Sequence, residues 1–449
     1  MNANVSASTS SADTLRQIAA DVVAYARKQG ASASSTEVSE GFGQAVSVRQ
    51  GAVETIEYNR DKGMSVSVYL GQRRGNASTS DFSKKALRDT VDAALNIARY
   101  TAEDDCAGLP DADQLATEFP DLDLYHPWTL DVEQAIALAS DCEQAAFRAD
   151  KRVVNSEGAT VNVNEGTFVQ ANSLGFNAGY PSSRHSVSCS VIAGKNDAME
   201  RDYWYSVARN AADILKVGEI GRIAAERTVR RLKARKLDTM QCPVLFEAPV
   251  AAGLLGHFVG AVSGGSLYRK SSFLLDHLDK PVFAPHIDLL DVPDIPRGLA
   301  SSPFDGEGVR VRNRRIVEQG VLRGYFLGSY SARKLGMQTT GNSGGNHNLI
   351  LSSARTRTFD ELLKEMGRGL LVTELLGHGV NSVTGDYSRG AAGFWVEHGE
   401  IQYPVHEFTI AGNLREMFRA IAAVGDDVLV QGSRQCGSIL IEKMTVAGQ

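Results

Sequence analysis

The sequence predicts an α+β protein. It has an N-terminal α+β domain of helices and antiparallel strands with weak internal duplication, followed by a β-rich C-terminal domain with a few helices. An amphipathic helix, alternating strands and a second helix occur in that order twice, whereas glycine-rich sequence with strand patterns follows residue 238. Because 449 residues exceed the usual span of one hydrophobic core, we expect a flexible N-terminus at 1–12 and domains at 13–237 and 238–449.

Four amphipathic helices are predicted in the N-terminal domain, because apolar residues recur there at intervals of three and four. They begin near Asp13, Ala86, Leu130 and Gly218. The fourth helix and the residues after it hold the main basic concentration of the chain, namely Arg222, Arg227, Arg230, Arg231, Lys233, Arg235 and Lys236. We interpret this helix as a solvated one leading into a linker, because no aromatic residues alternate with the charges as they do in nucleic-acid sites.

Strands are predicted after the first and third helices. Alternating apolar and polar residues indicate about four antiparallel strands between residues 44 and 80. Turn signals separate these strands at Gln50-Gly51, in the run RDKG (60–63) and at Gly71-Gln72. Further strands are expected in ATVNVNEGTFVQANSLGFNAGY and HSVSCSVIAG, which follow the third helix and complete the second copy of the pattern.

The C-terminal domain is predicted to combine many strands with a few capped helices. The run CPVLFEAPVAAGLLGHFVGAVSGG predicts a strand followed directly by a helix. His398-Gly399 is expected to join two strands as a hairpin. Two capping boxes mark further helix starts, each with a glycine expected to end the helix: Thr358 and Glu361 with Gly367, and Asn413 and Glu416 with Gly425.

Composition and charge exclude several classes of function. The net charge is -6, so the whole molecule does not attract nucleic acid or an anionic membrane. Neither a secretory signal nor an apolar run of about eighteen residues is present, so we expect a cytoplasmic protein without membrane contact. The cysteines are odd in number and scattered, which favours free thiols: Cys106, Cys142, Cys189, Cys242 and Cys436.

The run GLLGHFVGAVSGG (253–265) is similar to the helix of a zinc peptidase but lacks most of its ligands. Such a helix needs two histidines about one turn apart and a carboxylate base, whereas only His257 is present, with Ala261 four residues later. Distant ligands are available at His347, His378, His406 and Cys436, but a zinc site is not the favoured interpretation. Cys436 also lacks the sequence context of a nucleophile, so a buried thiol is expected.

A glycine-rich strand offers another hypothesis for binding. The run GDYSRGAAGFWVEHGEIQYPV (385–405) has little side-chain bulk, so a second extended backbone could approach closely. An exposed strand of this kind holds a peptide through main-chain hydrogen bonds. A structure in which the strand is paired on both sides would remove this hypothesis.

Long ordered runs resemble one known family over nearly the whole chain. They include GLLGHFVGAVSGGSLYRKSSFLLD, GLASSPFDGEGV, SYSARKLG, GGNHN, VTELLGHGVNSVTGDYSRGAAGFWVEHGEIQYPVHEFTIAGNL and QCGSIL, together with the N-terminal VETIEYNRDKGMSVSVY. These runs are similar to the TldD/PmbA family. The resemblance implies a cytoplasmic dimer with an α+β N-terminal domain and a β-rich C-terminal domain.

The resemblance also implies peptidase chemistry in a partner chain. In this family the TldD-type subunit carries an H-E-x-x-x-H helix and a C-terminal cysteine that bind zinc, and it pairs with a second subunit to cleave unfolded or extended peptides. Family substrates include an antibiotic-precursor leader peptide and a labile antitoxin, and an older family name is modulator of DNA gyrase. Against that motif this chain has Gly256, His257 and Ala261 in place of the three ligating and basic residues, and only Cys436 matches.

We therefore expect a subunit that is not catalytic alone and completes the substrate channel of a TldD-type partner. No catalytic residue and no metal ligand are assigned to this chain, and zinc is expected in the partner. Residues expected to face the peptide cavity are His257, His347, Tyr387, Arg389 and Cys436. A homodimer is allowed when the partner is absent, and direct nucleic-acid binding is not expected.

Two alternatives stay open. One is a self-sufficient homodimeric metallopeptidase, which predicts stoichiometric zinc in the purified chain. The other is a binding protein that acts on gyrase or on a toxin-antitoxin pair without proteolysis, which predicts a stable complex with an intact target.

Overall fold

A computed structural model describes residues 12–448 of the chain. The flexible N-terminus predicted at 1–12 therefore lies outside the described residues, except for Ala12, which begins a helix. No helix within this range is long and apolar enough to cross a membrane. The α-helices are α1 (Ala12–Lys28), α2 (Lys84–Tyr100), α3 (Val132–Ala149), α4 (Val217–Arg230), α5 (Ala248–Ala261), α6 (Gly264–Tyr268), α7 (Ser329–Lys334), α8 (Phe359–Met366) and α9 (Leu414–Arg419).

The strands form three sheets. They are β1 (Ala33–Arg49), β2 (Ala52–Leu70), β3 (Arg73–Thr79), β4 (Val153–Asn172), β5 (Asn177–Ser183), β6 (His185–Ala193), β7 (Glu200–Ala208), β8 (Met240–Phe246), β9 (Ile287–Val292), β10 (Arg314–Glu318), β11 (Val321–Leu322), β12 (Asn348–Ser353), β13 (Thr356–Arg357), β14 (Gly369–Leu376), β15 (Asp386–Glu397), β16 (Glu400–Asn413), β17 (Ile421–Gly425), β18 (Arg434–Gln435) and β19 (Ile439–Ala447). Most pairings are antiparallel, and the predicted α+β class is confirmed.

The N-terminal sheet has the order β3-β2-β1-β4-β6-β7, with β5 paired to β4. Its two halves repeat one pattern, since α1 and α2 enclose the first three strands in sequence, and α3 and α4 enclose the strands of the second half. Each helix pair packs with its own half of the sheet in a separate apolar cluster. The antiparallel pairing of β1 with β4 joins the two halves.

The C-terminal part contains two sheets, and five strands of the larger sheet form a closed ring. In that sheet, β8 pairs with β14 on one side and with β19 on the other, and β15 and β16 complete the ring. The small sheet has the order β11-β10-β9-β12-β18. Buried side chains of α5 and of both sheets form the largest apolar cluster of the described chain. The division into domains at residue 238 stays a prediction.

The first strands are fewer and longer than predicted. Two of the three turns are present: Gln50 and Gly51 have φ of 52° and 75°, and Gly71 has φ of 61°. The run RDKG is not a turn, because Arg60 and Lys62 lie inside β2 and pair with β1. Among residues 12–448, no strand pairs with the outer edge of β2 before Met64, so polar side chains are tolerated there and resemble a turn signal.

One of the two predicted capping boxes is present in full. Thr358 and Glu361 cap α8, and Gly367 follows it with φ of 66°. At α9 the side chain of Asn413 accepts a hydrogen bond from Arg415 N, but the helix ends at Arg419 rather than near Gly425. Residues 421–425 instead pair with β19 as β17, because their apolar side chains are buried on that sheet.

The basic helix α4 is solvated only in part, which corrects the sequence-based interpretation for Arg227 and Arg231, whereas Arg222 is 49% exposed as expected. Arg227 Nη1 lies 2.9 Å from Glu247 Oε2, and its side chain is only 11% exposed. Arg231 pairs with Glu374 at the end of β14 and lies 3.6 Å from Asp202 of β7. These arginines therefore connect the N-terminal sheet to α5 and β14 of the C-terminal part.

Replacing Arg227 with Met should lower the free energy of unfolding by about 1.5–3 kcal/mol, because Glu247 and Asp202 would each lose a buried cationic partner while Arg230 and Arg231 remain beside them. Arg222 is the matched control, since it lies on the same helix and pairs with Glu226 while 49% exposed. Arg222→Met should change stability by less than about 0.5 kcal/mol. Urea denaturation of both variants checks this, and equal losses would contradict the proposed difference.

Candidate functional site

Helix α5 contains most of the glycine-rich run (253–265). An arginine lies beside Gly256, the position at which the zinc motif has its first histidine. A Cβ added to Gly256 would overlap Nη1 of Arg434, which belongs to β18. The guanidinium group thus occupies the space that a side chain at position 256 would need. No described residue in 12–448 forms an ion pair with Arg434, so its charge is not neutralised by a neighbouring carboxylate.

His257 lies beside this arginine and against a buried tyrosine. The rings of His257 and Tyr387 meet edge to face, with 5.9 Å between their centroids. Burial, and then the charges of Arg389 and Arg434, lower the pKa of His257, so the imidazole is neutral at pH 7. Tyr387 is 1% exposed, its hydroxyl has no hydrogen-bond partner among the described residues, and burial raises its pKa to about 12.

A cleft of about 440 Å³ opens next to this group of residues. One wall is β7, the edge strand of the N-terminal sheet, with Tyr203 and Tyr205 stacked 6.4 Å apart. The other wall consists of the start of α5, including Gly253, and of residues 373–375 of β14. Because His257 lies one helical turn after Gly253, it is on the same side of α5 as the cleft.

Of the five residues predicted to face the cavity, Arg389 lies in the lining of this cleft. His257 in α5 and Tyr387 in β15 lie close to the cleft. Arg434 lies near His257 and belongs to the short strand β18, which directly precedes Cys436. The Cys436 side chain is 1% exposed, and burial together with Asp427 raises its thiol pKa to about 12. The structure thus gathers four of the five candidates around α5 and β18, and their role with a peptide stays a prediction.

His347 lies in a different environment. Its backbone N–H donates to Asp291 Oδ1 at 2.7 Å, and its Nδ1 is 3.1 Å from Asp291 Oδ2. Asp291 also accepts a hydrogen bond from the side chain of Asn342. All three residues are less than 9% exposed, so this histidine takes part in a buried polar network of the small sheet.

The hypothesis of an open peptide-binding strand is wrong for β15, the glycine-rich part of 385–405. Gly390 pairs with Leu376 of β14 on one side and with Thr409 of β16 on the other. Gly393 is needed for this close packing, because a Cβ there would overlap the carbonyl oxygen of Leu371. The glycines therefore serve contacts inside the sheet.

Apart from Arg389, the sequence did not reveal the residues that line the cleft. β7 forms a wall because Arg227 of α4 joins the N-terminal sheet to Glu247 at the start of α5, although these residues lie around different sheets. Arg434 was missed because it belongs to no sequence motif. Only the tertiary structure shows that it lies beside Gly256. The cluster YWY at 203–205 was the one local signal, since aromatic side chains are common at binding surfaces.

Comparison with known proteins decides the family. Models of the C-terminal domain, the central domain and domain 1 of the PmbA/TldA metallopeptidases match residues 239–448, 125–232 and 37–98. The chain belongs to the PmbA/TldD metallopeptidase family. Metalloprotease PmbA of Escherichia coli O157:H7 is 51% identical over 412 residues, which are 92% of this chain and 91% of that protein.

Within the PmbA/TldD family the chain is more similar to PmbA than to TldD. A metalloprotease PmbA homolog of Haemophilus influenzae is 50% identical over 97% of this chain and 96% of its own length. The TldD homolog of the same organism is 24% identical over 84% of this chain and 82% of its own length.

Crystal structures of PmbA/TldD-like proteins share the fold. A structure from Bacteroides thetaiotaomicron, named as a modulator of DNA gyrase, superposes with a TM-score of 0.90 at 28% identity and covers 97% of this chain and 99% of that chain. TldE from Thermococcus kodakarensis superposes with a TM-score of 0.83 at 19% identity, over 96% of this chain and 100% of that chain, which is a likeness of fold alone.

Zinc is the metal that the resemblance to TldD implies, and the residues around α5 do not fit it. A guanidinium group lies beside position 256, and Ala261 has no lone pair to offer. Cys436 is the one residue that matches the motif's ligands, and a single thiol falls short of the three protein ligands of a catalytic zinc site. Within residues 12–448 no three His, Cys, Asp or Glu side chains are grouped so as to hold a metal ion.

Replacing Arg434 with Met should raise the pKa of His257, because one of two nearby cations is removed while burial is retained. The folded state disfavours the protonated form of His257, so protonation of this ring favours the unfolded chain. The free energy of unfolding should therefore fall as the pH drops below about 6.5, the ordinary histidine pKa. NMR titration of the His257 ring checks the shift. Arg60→Met on the exposed edge of β2 is the control and should leave this titration unchanged.

Proposed function

We propose that this chain is the non-catalytic subunit of a cytoplasmic metallopeptidase complex, paired with a TldD-type subunit that holds the zinc. The observation that supports the proposal is the arginine beside the first position of the metal motif: Arg434 takes the space at Gly256, and His257 stands where the motif has its glutamate. Such a site lacks both the metal ligands and the base that would activate water.

In this proposal the chain contributes a wall of the substrate channel. The cleft between β7 and α5 offers the edge of a sheet, stacked tyrosines and the cation of Arg389. A strand edge binds an extended backbone through main-chain hydrogen bonds and selects weakly among sequences. Unfolded or extended peptides suit such a wall, and the family resemblance implies that the substrates of the complex include leader peptides of antibiotic precursors and labile antitoxins.

His257 has a defined part in this proposal. A neutral imidazole beside two guanidinium groups accepts or donates a hydrogen bond without adding charge. It contacts the peptide and helps to orient it, and the bond cleavage takes place in the partner. His257→Ala should leave folding intact and reduce peptide turnover by the complex modestly, by about 2- to 10-fold, which is the loss of one hydrogen bond.

Reconstitution tests the proposal. The chain alone should contain no stoichiometric zinc and cleave no unstructured peptide, and cleavage sensitive to a chelator should arise when a TldD-type protein of the same organism is added. Zinc is measured by elemental analysis, and cleavage by mass spectrometry. Unchanged cleavage by the partner without this chain would refute the subunit role. Zinc and cleavage in this chain alone would establish the self-sufficient enzyme instead.

Gly253→Leu provides a sharper test of the cleft. No atom lies within 4 Å of a Cβ built on Gly253 or on Gly260, so either position of α5 has space at Cβ for a side chain. Both replacements should stabilise the helix by up to about 1 kcal/mol. Since only Gly253 lines the cleft, Gly253→Leu should lower peptide turnover by the reconstituted complex at least about 10-fold, whereas Gly260→Leu should not. Equal activities of the two variants would contradict the assignment.

A further inference from the structure

The charged side chains that line the cleft at α5 have carboxylate or arginine partners, apart from one arginine. The lining holds three arginines and two carboxylates: Arg201, Arg227, Arg389, Asp202 and Glu374. An ion pair presents little net charge to a ligand, because the fields of its two members largely cancel. The charge that a ligand meets in the cleft therefore depends on which of these five groups are paired.

Both carboxylates of the lining are paired with arginines at the C-terminal end of α4. Asp202 Oδ2 lies 3.4 Å from Arg227 Nε and 3.6 Å from Arg231 Nη1. Glu374 accepts a hydrogen bond from Arg231. These carboxylates are thus neutralised from the α4 side of the cleft, and neither of them is paired with Arg389.

The three arginines of the lining differ in their partners. Arg227 belongs to the α4 network, and Arg201 Nη1 lies 2.8 Å from Glu157 Oε2. Arg389 of β15 donates from Nε to the carbonyl oxygen of Leu376 at 3.4 Å. Among the side chains that the structure describes, no carboxylate forms an ion pair with Arg389. Since this residue is partly exposed in the lining, its Nη groups are available to a ligand in the cleft.

A second arginine adds to this positive charge. Arg434 packs beside Gly256, and no carboxylate in the described part of the chain is paired with it. Burial, and then the charges of Arg389 and Arg434, lower the pKa of His257, so both cations lie near this ring. The Arg389 end of the cleft thus has a positive charge that no neighbour offsets. Because a guanidinium group donates two parallel hydrogen bonds to a carboxylate, this charge favours a carboxylate ligand.

We propose that Arg389 makes the cleft selective for peptides that carry a carboxylate at one position. This inference rests on the proposed function, in which the cleft is a wall of the peptide channel. Arg389 is then a specificity residue, because it binds one group of the peptide and takes no part in bond cleavage. The carboxylate belongs either to an aspartate or glutamate side chain or to the C-terminus of the peptide. On the opposite wall the rings of Tyr203 and Tyr205 are uncharged, so the selection is confined to the Arg389 end.

Matched peptides test this selectivity with the reconstituted complex at about 0.05 M salt, where screening is weak. In one series a single glutamate moves through each position of an unstructured, amidated peptide, and in the matched series glutamine replaces it. At one or two positions kcat/KM should be at least about fivefold higher with glutamate, because only the carboxylate pairs with Arg389. A preference for a free C-terminus over the amide, without an effect of glutamate, identifies the terminal carboxylate as the ligand.

Two outcomes of this experiment separate the inference from the proposed function. Equal kcat/KM for glutamate and glutamine at every position, and for both forms of the C-terminus, would overturn the inference while the proposed function stands. Cleavage that continues unchanged when this chain is omitted would refute the proposed function and the inference with it.

Arg389→Gln assigns the selectivity to this chain. It removes the cation and keeps a polar side chain, so the preference for the carboxylate peptide over its neutral match should fall below about twofold. Arg368→Gln is the matched control, because Arg368 precedes β14 at the end opposite Leu376 and is 69% exposed. It removes the same charge and should leave the preference unchanged, and thermal unfolding of both variants verifies the fold. A preference that survives Arg389→Gln, or that falls equally in both variants, would overturn the assignment to Arg389.

Discussion

A network of buried ion pairs at the C-terminal end of α4 is the constraint on which the functional part of the structure depends. Arg227 of α4 and Arg231, the residue after this helix, bind carboxylates of the N-terminal strand β7 and of the C-terminal residues Glu247 and Glu374. These ion pairs are largely withdrawn from water, so each carboxylate needs an arginine beside it. They hold β7, an edge strand of the N-terminal sheet, beside α5 of the C-terminal part. The cleft is the space between these two elements.

The chemistry around α5 depends on Arg434, which lies beside Gly256, the position of the first histidine in the zinc motif. The absence of a side chain at Gly256 allows the guanidinium of Arg434 to pack against the helix. The cation then acts on its neighbours, since it lowers the pKa of His257 together with Arg389 and burial. The guanidinium groups of Arg389 and Arg434 thus make the surroundings of His257 cationic.

The cleft at α5 and the larger cavity on the N-terminal sheet have different physical characters. The cleft combines aromatic rings, a strand edge and the cation of Arg389. The larger cavity, of about 1290 Å³, lies over β1, β2, β3 and β4, and its lining holds more carboxylates than cations. Helices α1 and α2 pack on the opposite face of the first strands, in an apolar cluster.

The sequence alone determined the α+β class, the four helices of the N-terminal part, the cap of α8 and the missing ligands of the zinc motif, because periodicity, capping and motif spacing are local properties. The run RDKG misled because an exposed edge strand tolerates the same polar residues as a turn. The tertiary structure decided that β15 is paired on both sides, that α4 is an ion-paired contact, and that Arg434 lies at Gly256. Each of these depends on residues far apart in the chain, and no local pattern encodes which of them meet.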